Sequence, residues 1–99
     1  MFLEYSGERI TIKLSGDIQS KCPVTGERDY YTWVIEYVPR NKIIEVVKLG
    51  EYLKALSKSD KTCDDILNDL NQVMNEINPY NLSINVMDES MGIKIEVGI

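Results

Sequence analysis

Apolar and polar positions alternate from Arg9 to Ser15, with Ile10, Ile12 and Leu14 on one side and Thr11, Lys13 and Ser15 on the other. That period of two predicts a half-buried strand. Gly16, Pro23 and Gly26 interrupt the alternation, so residues 16–28 read as a long connection before a second strand, Tyr30 to Val38, dense in aromatic and β-branched residues and stopped by Pro39. Between Lys42 and Lys58 the period lengthens: Val46, Leu49, Leu53 and Leu56 line one face of a helix. Ile66, Leu70, Val73 and Ile77 line a second helix that starts near Asp60 or Thr62, carries Asp64 and Asp65 at its positive end and closes at Asn78-Pro79. Leu82, Ile84 and Val86 alternate, Asp88 to Ser90 reads as a turn, and Ile93, Ile95, Val97 and Ile99 alternate again as a closing hairpin. The expected order is β-β-α-α-β-β, an α+β subunit with a four-stranded antiparallel sheet and two helices on one face. Its two open edge strands predict pairing between copies.

Composition narrows the chemistry. The 99 residues form one domain, 1–99, too short for a second core. There is no histidine, which removes Ser-His-Asp and Cys-His pairs and every His-ligated metal site. Two cysteines, Cys22 and Cys63, cannot close a four-thiolate zinc site, so no metal is expected. Met1 to Ser6 carries Glu4 and offers no secretory apolar stretch, and no apolar run is long enough for a membrane span. A reducing, cytoplasmic location is therefore expected, with Cys63 packing in the core rather than joined to Cys22. Acidic residues outnumber basic ones, 16 to 11, so a polyanionic partner would need a local basic patch. Arg40, Lys42, Lys48, Lys54, Lys58 and Lys61 concentrate the basic charge in one stretch, which permits an RNA face or a solvated helix equally.

One segment carries candidate chemistry. In Ser20-Lys21-Cys22-Pro23-Val24-Thr25-Gly26-Glu27-Arg28-Asp29 a thiol precedes a rigid turn and a carboxyl group. Pro23 restricts Cys22 toward extended backbone, Gly26 permits a positive φ, and the Thr25 hydroxyl can donate toward sulfur. Lys21 and Arg28 favour the thiolate, while a partly dry carboxyl group tends to keep its proton. The same spacing also suits a small buried Cys22 and a turn residue Asp29, and Glu45 and Asp60 suit helix starts as well as they suit ligands.

Lys21-Cys22-Pro23-Val24-Thr25-Gly26 with Asp29 resembles the signature of the QueF family, whose nitrile reductases act on 7-cyano-7-deazaguanine. The likeness continues through Glu45, Ile66-Leu67-Asn68-Asp69-Leu70 and Gly92-Ile93. The resemblance implies the tunnelling fold, with subunits assembled in rings, expected as pentamers stacked into a decamer. It implies Cys22 as the thioimide-forming nucleophile and Asp29 as acid and base, with Thr25, Glu45 and Asp60 binding substrate. Glu45-Val46-Val47-Lys48-Leu49-Gly50 keeps the leading acid of the reductases' NADPH motif and lacks both lysines at their motif places, so NADPH is not expected. The chain most resembles the archaeal QueF-like branch, which forms archaeosine in tRNA from the cyano base and ammonia. An NADPH-dependent reductase and a non-catalytic ring subunit are the alternatives.

Overall fold

The computed structural model describes residues 1–21, 24, 26, 28–90 and 92–99, with the backbone alone for Lys21, Arg28, Asp29 and Ser90. Four strands, β2 (Ile12–Lys21), β3 (Arg28–Val38), β5 (Asn81–Ser90) and β6 (Ile93–Gly98), form one antiparallel sheet in the order β2-β3-β5-β6. Two helices, α1 (Val46–Leu56) and α2 (Cys63–Ile77), pack on one face, and short strands β1 (Phe2–Glu4) and β4 (Lys42–Ile44) pair with each other beside it. The expected α+β architecture is present, with β2 and β6 at the edges.

Alternation builds the core. Trp33 stands opposite Val86 and Ile35 opposite Ile84, and all four are buried on the helix side. Ile66, Leu70, Val73, Met74 and Ile77 of α2 cover them, the i, i+4, i+7 stripe of an amphipathic helix. Cys63, the first residue of α2, belongs to this core, as expected of a packing residue.

Several boundaries differ from the sequence reading, beginning with the first strand, which starts at Ile12 rather than Arg9 and leaves Ile10 exposed. Gly16 does not end the first strand: it lies opposite Trp33, whose indole covers the site a side chain would occupy, and pairing continues to Lys21 opposite Arg28. A large ring laid over a cross-strand glycine restores the packing that the missing side chain would have supplied. The connection is thereby shortened to residues 22–27. Lys42–Ile44 is strand rather than helix because β1 provides a partner, with Phe2 opposite Ile44, and because the Tyr37 hydroxyl accepts from the Ile44 amide at 3.1 Å. Residues 88–90 continue β5 instead of turning, and Gly92, at φ 74°, takes the left-handed position after them.

Candidate active site

Pairing along β2 and β3 brings the chemistry-bearing segment to one end of the sheet. Asp29 is the ladder partner of Ser20, which lies two residues before Cys22. Cys22 and Thr25 lie outside the described residues, as does the Asp29 side chain.

The connection between the helices meets the sheet at this same end. Ser57 ends α1, and the amides of Lys58 and Ser59 bond back to Ala55 and Leu56. On the other side Asp65 fixes the start of α2, its carboxylate accepting from the Thr62 amide at 3.1 Å and hydroxyl at 2.9 Å. Between these points, Ser20, fully buried, donates from Oγ to the Ser59 carbonyl at 2.8 Å and accepts from the Lys61 amide at 3.0 Å. The Tyr31 hydroxyl donates to the Lys61 carbonyl at 3.1 Å, and Lys61 Nζ pairs with Asp69 at 3.2 Å. Asp60 is thus exposed on a segment anchored from the end of β2 and the start of β3. It is not a helix cap, since Thr62 holds that position.

Glu45 stands elsewhere. It caps α1, accepting from the amides of Val47 at 3.0 Å and Lys48 at 2.9 Å. Those bonds, Val47's first, hold its carboxyl group below the ordinary carboxylate range. The β4–α1 junction is tied to Tyr37, eight residues along β3 from Asp29, which at ordinary strand rise is about 26 Å. Within one copy the fold therefore gathers Asp29 and Asp60 at one end of the sheet and leaves Glu45 near the other.

Between β2 and α1 runs an open groove of about 410 Å³, with Gln19, Trp33, Lys54 and Ser57 among its lining. The Trp33 indole N–H is buried and has no hydrogen-bond partner among the described residues. No cluster of three or more metal-ligating side chains occurs among the described residues.

Ser20, Tyr31 and Lys61 were not evident as site residues from the sequence. A signal existed: extending the β2 alternation past Gly16 places Ile18 and then Ser20 on the apolar side, and a serine at a core position requires a partner.

No protein-family model matches the chain. It is similar to NADPH-dependent 7-cyano-7-deazaguanine reductases: 33% identical over 42 residues to that of Syntrophobacter fumaroxidans, covering 41% of this chain and 27% of the relative. Against the reductase of Staphylococcus epidermidis the identity is 29% over 69 residues, 69% of this chain and 42% of the relative. Against that of Thioalkalivibrio sulfidiphilus it is 38% over 53 residues, 50% of this chain and 41% of the relative. The matched chain spans less than half the length of each of these proteins. In fold it is similar to the crystal structure of the archaeosine synthase QueF-like in the apo form, with a TM-score of 0.81 and 20% identity over 90% of both chains. The chain is thus similar in sequence to the QueF reductases and has the fold of the QueF-like synthase, the α+β subunit that its periodicity predicted.

Proposed function

We propose that this protein converts the nitrile of 7-cyano-7-deazaguanine in tRNA to the formamidine of archaeosine, with ammonia as co-substrate. One observation carries the reading: a chain with the synthase fold keeps Cys22 as the first residue of a single short connection and Asp29 just past its end, while lacking the lysines of the reductase motif.

The chemistry follows from what a nitrile requires. The Cys22 sulfur attacks the nitrile carbon while Asp29 gives its proton to the nitrogen, forming a thioimidate without building a strongly basic anion. Ammonia adds to that carbon, the Asp29 carboxylate takes a proton from the incoming nitrogen, and the tetrahedral adduct expels the thiolate. Carbon gains one nitrogen and no electrons are transferred, so the balance requires neither NADPH nor a metal. Asp60 accepts hydrogen bonds from the guanine-like edge, Thr25 orients the sulfur, and Glu45 serves a site on another copy, given its distance from Asp29.

Assembly fits this reading. The β2 and β6 edges are open, and Ile93, Ile95 and Ile99 are exposed along the β6 end. Edge-to-edge pairing would cover them in rings, which we take as pentamers stacked in a decamer. No helix among the described residues is long and apolar enough to cross a membrane, and a reducing cytoplasm would keep Cys22 as a thiol.

The test is to incubate the protein with tRNA bearing the cyano base and ammonium salt, without NADPH, and to identify the digested nucleoside by mass. An amidine is expected. The reductases among its relatives favour a second reading, for which an aminomethyl product forming only with NADPH would be decisive.

A further inference from the structure

Ser20 is the one fully buried polar side chain among the described residues, and both hydrogen bonds of its hydroxyl go to a segment about forty residues away in sequence. They fall on either side of Asp60: the carbonyl before it accepts from Oγ at 2.8 Å, and the amide after it donates to Oγ at 3.0 Å. The peptide groups flanking Asp60 are therefore fixed to a strand residue two positions before Cys22 and directly across the ladder from Asp29. A side chain held by only one of these bonds could rotate; donation and acceptance together fix both the hydroxyl and the loop.

From this geometry we propose that Ser20 is a positioning residue, fixing the base-recognising acid relative to the end of the β2–β3 ladder, one residue before Cys22 in sequence. The inference rests on the function proposed above. Ser20 touches no substrate; it acts through Asp60. Loss of the hydroxyl leaves the Ser59 carbonyl and Lys61 amide without their partner, so the 59–61 segment moves relative to the sheet while the backbone pairing of Ser20 with Asp29 stays in place. Recognition should weaken more than bond-making.

The experiment compares wild type, Ser20→Ala, Asp60→Asn and the double variant by steady-state kinetics on the cyano-base tRNA, with amide hydrogen exchange at Lys61. For Ser20→Ala we expect KM to rise about tenfold, kcat to change less than threefold, and exchange at Lys61 to accelerate at least tenfold. In the Asp60→Asn background the same substitution should leave KM nearly unchanged. Independent, multiplying effects on KM, or an effect confined to melting temperature, would overturn the proposal. Should Ser20→Ala not fold, Ser20→Cys, which keeps the size and weakens the hydrogen bonds, takes its place with the same expected signs. An inactive wild type would defeat the proposed function instead; Lys61 exchange then judges the anchor, acceleration supporting it and an unchanged rate overturning it.

Discussion

Ser20 and Asp29 are partners in the β2–β3 ladder, and from that pairing the chemistry-bearing connection springs at both of its ends. A strand pair is a stiff base for a short connection, and Lys21 opposite Arg28 is the last rung before it. Under the proposed reaction the two reacting groups have different weights. Cys22→Ala should abolish product, because no bond to carbon can form. Asp29→Asn should leave thioimidate formation without its proton donor and slow turnover by about 10²–10⁴-fold, the usual worth of general acid–base catalysis. Intact-mass measurement with the cyano base checks the first, through loss of the covalent adduct. Single-turnover rates check the second, and an Asp29→Asn protein as fast as wild type would remove that residue from the mechanism.

Much of the fold was legible in the sequence because period-two and period-3.6 patterns report burial directly. Leu70 and Ile77 on α2 and Ile84 and Val86 on β5 sit where their spacing placed them, each buried. What the pattern did not reveal depends on partners distant in sequence. Gly16 reads as a breaker until Trp33 is known to lie over it, and Lys42–Ile44 reads as the start of a helix until Phe2–Glu4 is known to pair with it. The site divides in the same way. Cys22 and Asp29 form a local motif, whereas Ser20 acquires meaning only when residues 59–61 arrive against it.

The Gly16–Trp33 contact makes a stability prediction. A β-carbon at position 16 would lie 2.9 Å from Cζ2 of the indole, which is itself buried. Gly16→Ala should therefore destabilise the fold by about 1–3 kcal/mol, the range for overpacking a close-packed core. Each kcal/mol corresponds to about 4–8 °C of melting temperature for a domain of this size. Trp33→Phe in the Gly16→Ala background should recover part of the loss: the smaller ring makes room, and the indole N–H gives up no hydrogen bond among the described residues. Thermal melts of the two single variants and the double variant decide the matter, and additive losses would refute the steric explanation.

Acid should loosen the helix starts. The Glu45 carboxyl is held low by the amides of Val47 and Lys48, and the Asp65 carboxyl by the amide and then the hydroxyl of Thr62. Both folded-state values lie below the unfolded ones, so the stabilisation is fully present above the unfolded values and is lost as pH falls through the folded ones. Melting temperature should thus be insensitive to these groups near neutrality and begin to decline below about pH 5. Asp65→Asn and Glu45→Gln should each flatten that acid limb. An acid limb as steep in both variants as in wild type would show that other carboxyl groups govern it.

Basic charge near the connection bears on the tRNA reading. Of the basic stretch, Lys48 pairs with Glu51 at 3.6 Å, Lys61 with Asp69 at 3.2 Å, and the Arg40 guanidinium stacks on the Tyr80 ring at 4.1 Å. Lys54 and Lys58 are exposed at the end of α1 that leads into residues 59–61. If these two neutralise phosphates, alanine at both should lower the slope of log K against log salt by about 0.7–0.9 per contact. Titrations of tRNA at several salt concentrations measure that slope, and an unchanged value would exclude this surface.

Glu45 allows capping and ligand binding to be separated. Its two amide bonds account for its place at the start of α1 without any substrate. Asparagine is a strong cap, so Glu45→Asn should keep the melting temperature close to wild type, whereas Glu45→Ala, which leaves both amides without an acceptor, should lower it. If Glu45 also serves a site on a neighbouring copy, Glu45→Asn will raise KM despite its intact stability, because the carboxylate that accepts from the base is gone. Mixing inactive Cys22→Ala chains with inactivated Glu45 variants extends the test: heteromeric rings should regain activity when the cysteine of one copy meets the acid of another. Equal KM values for Glu45→Asn and wild type would confine Glu45 to capping its helix.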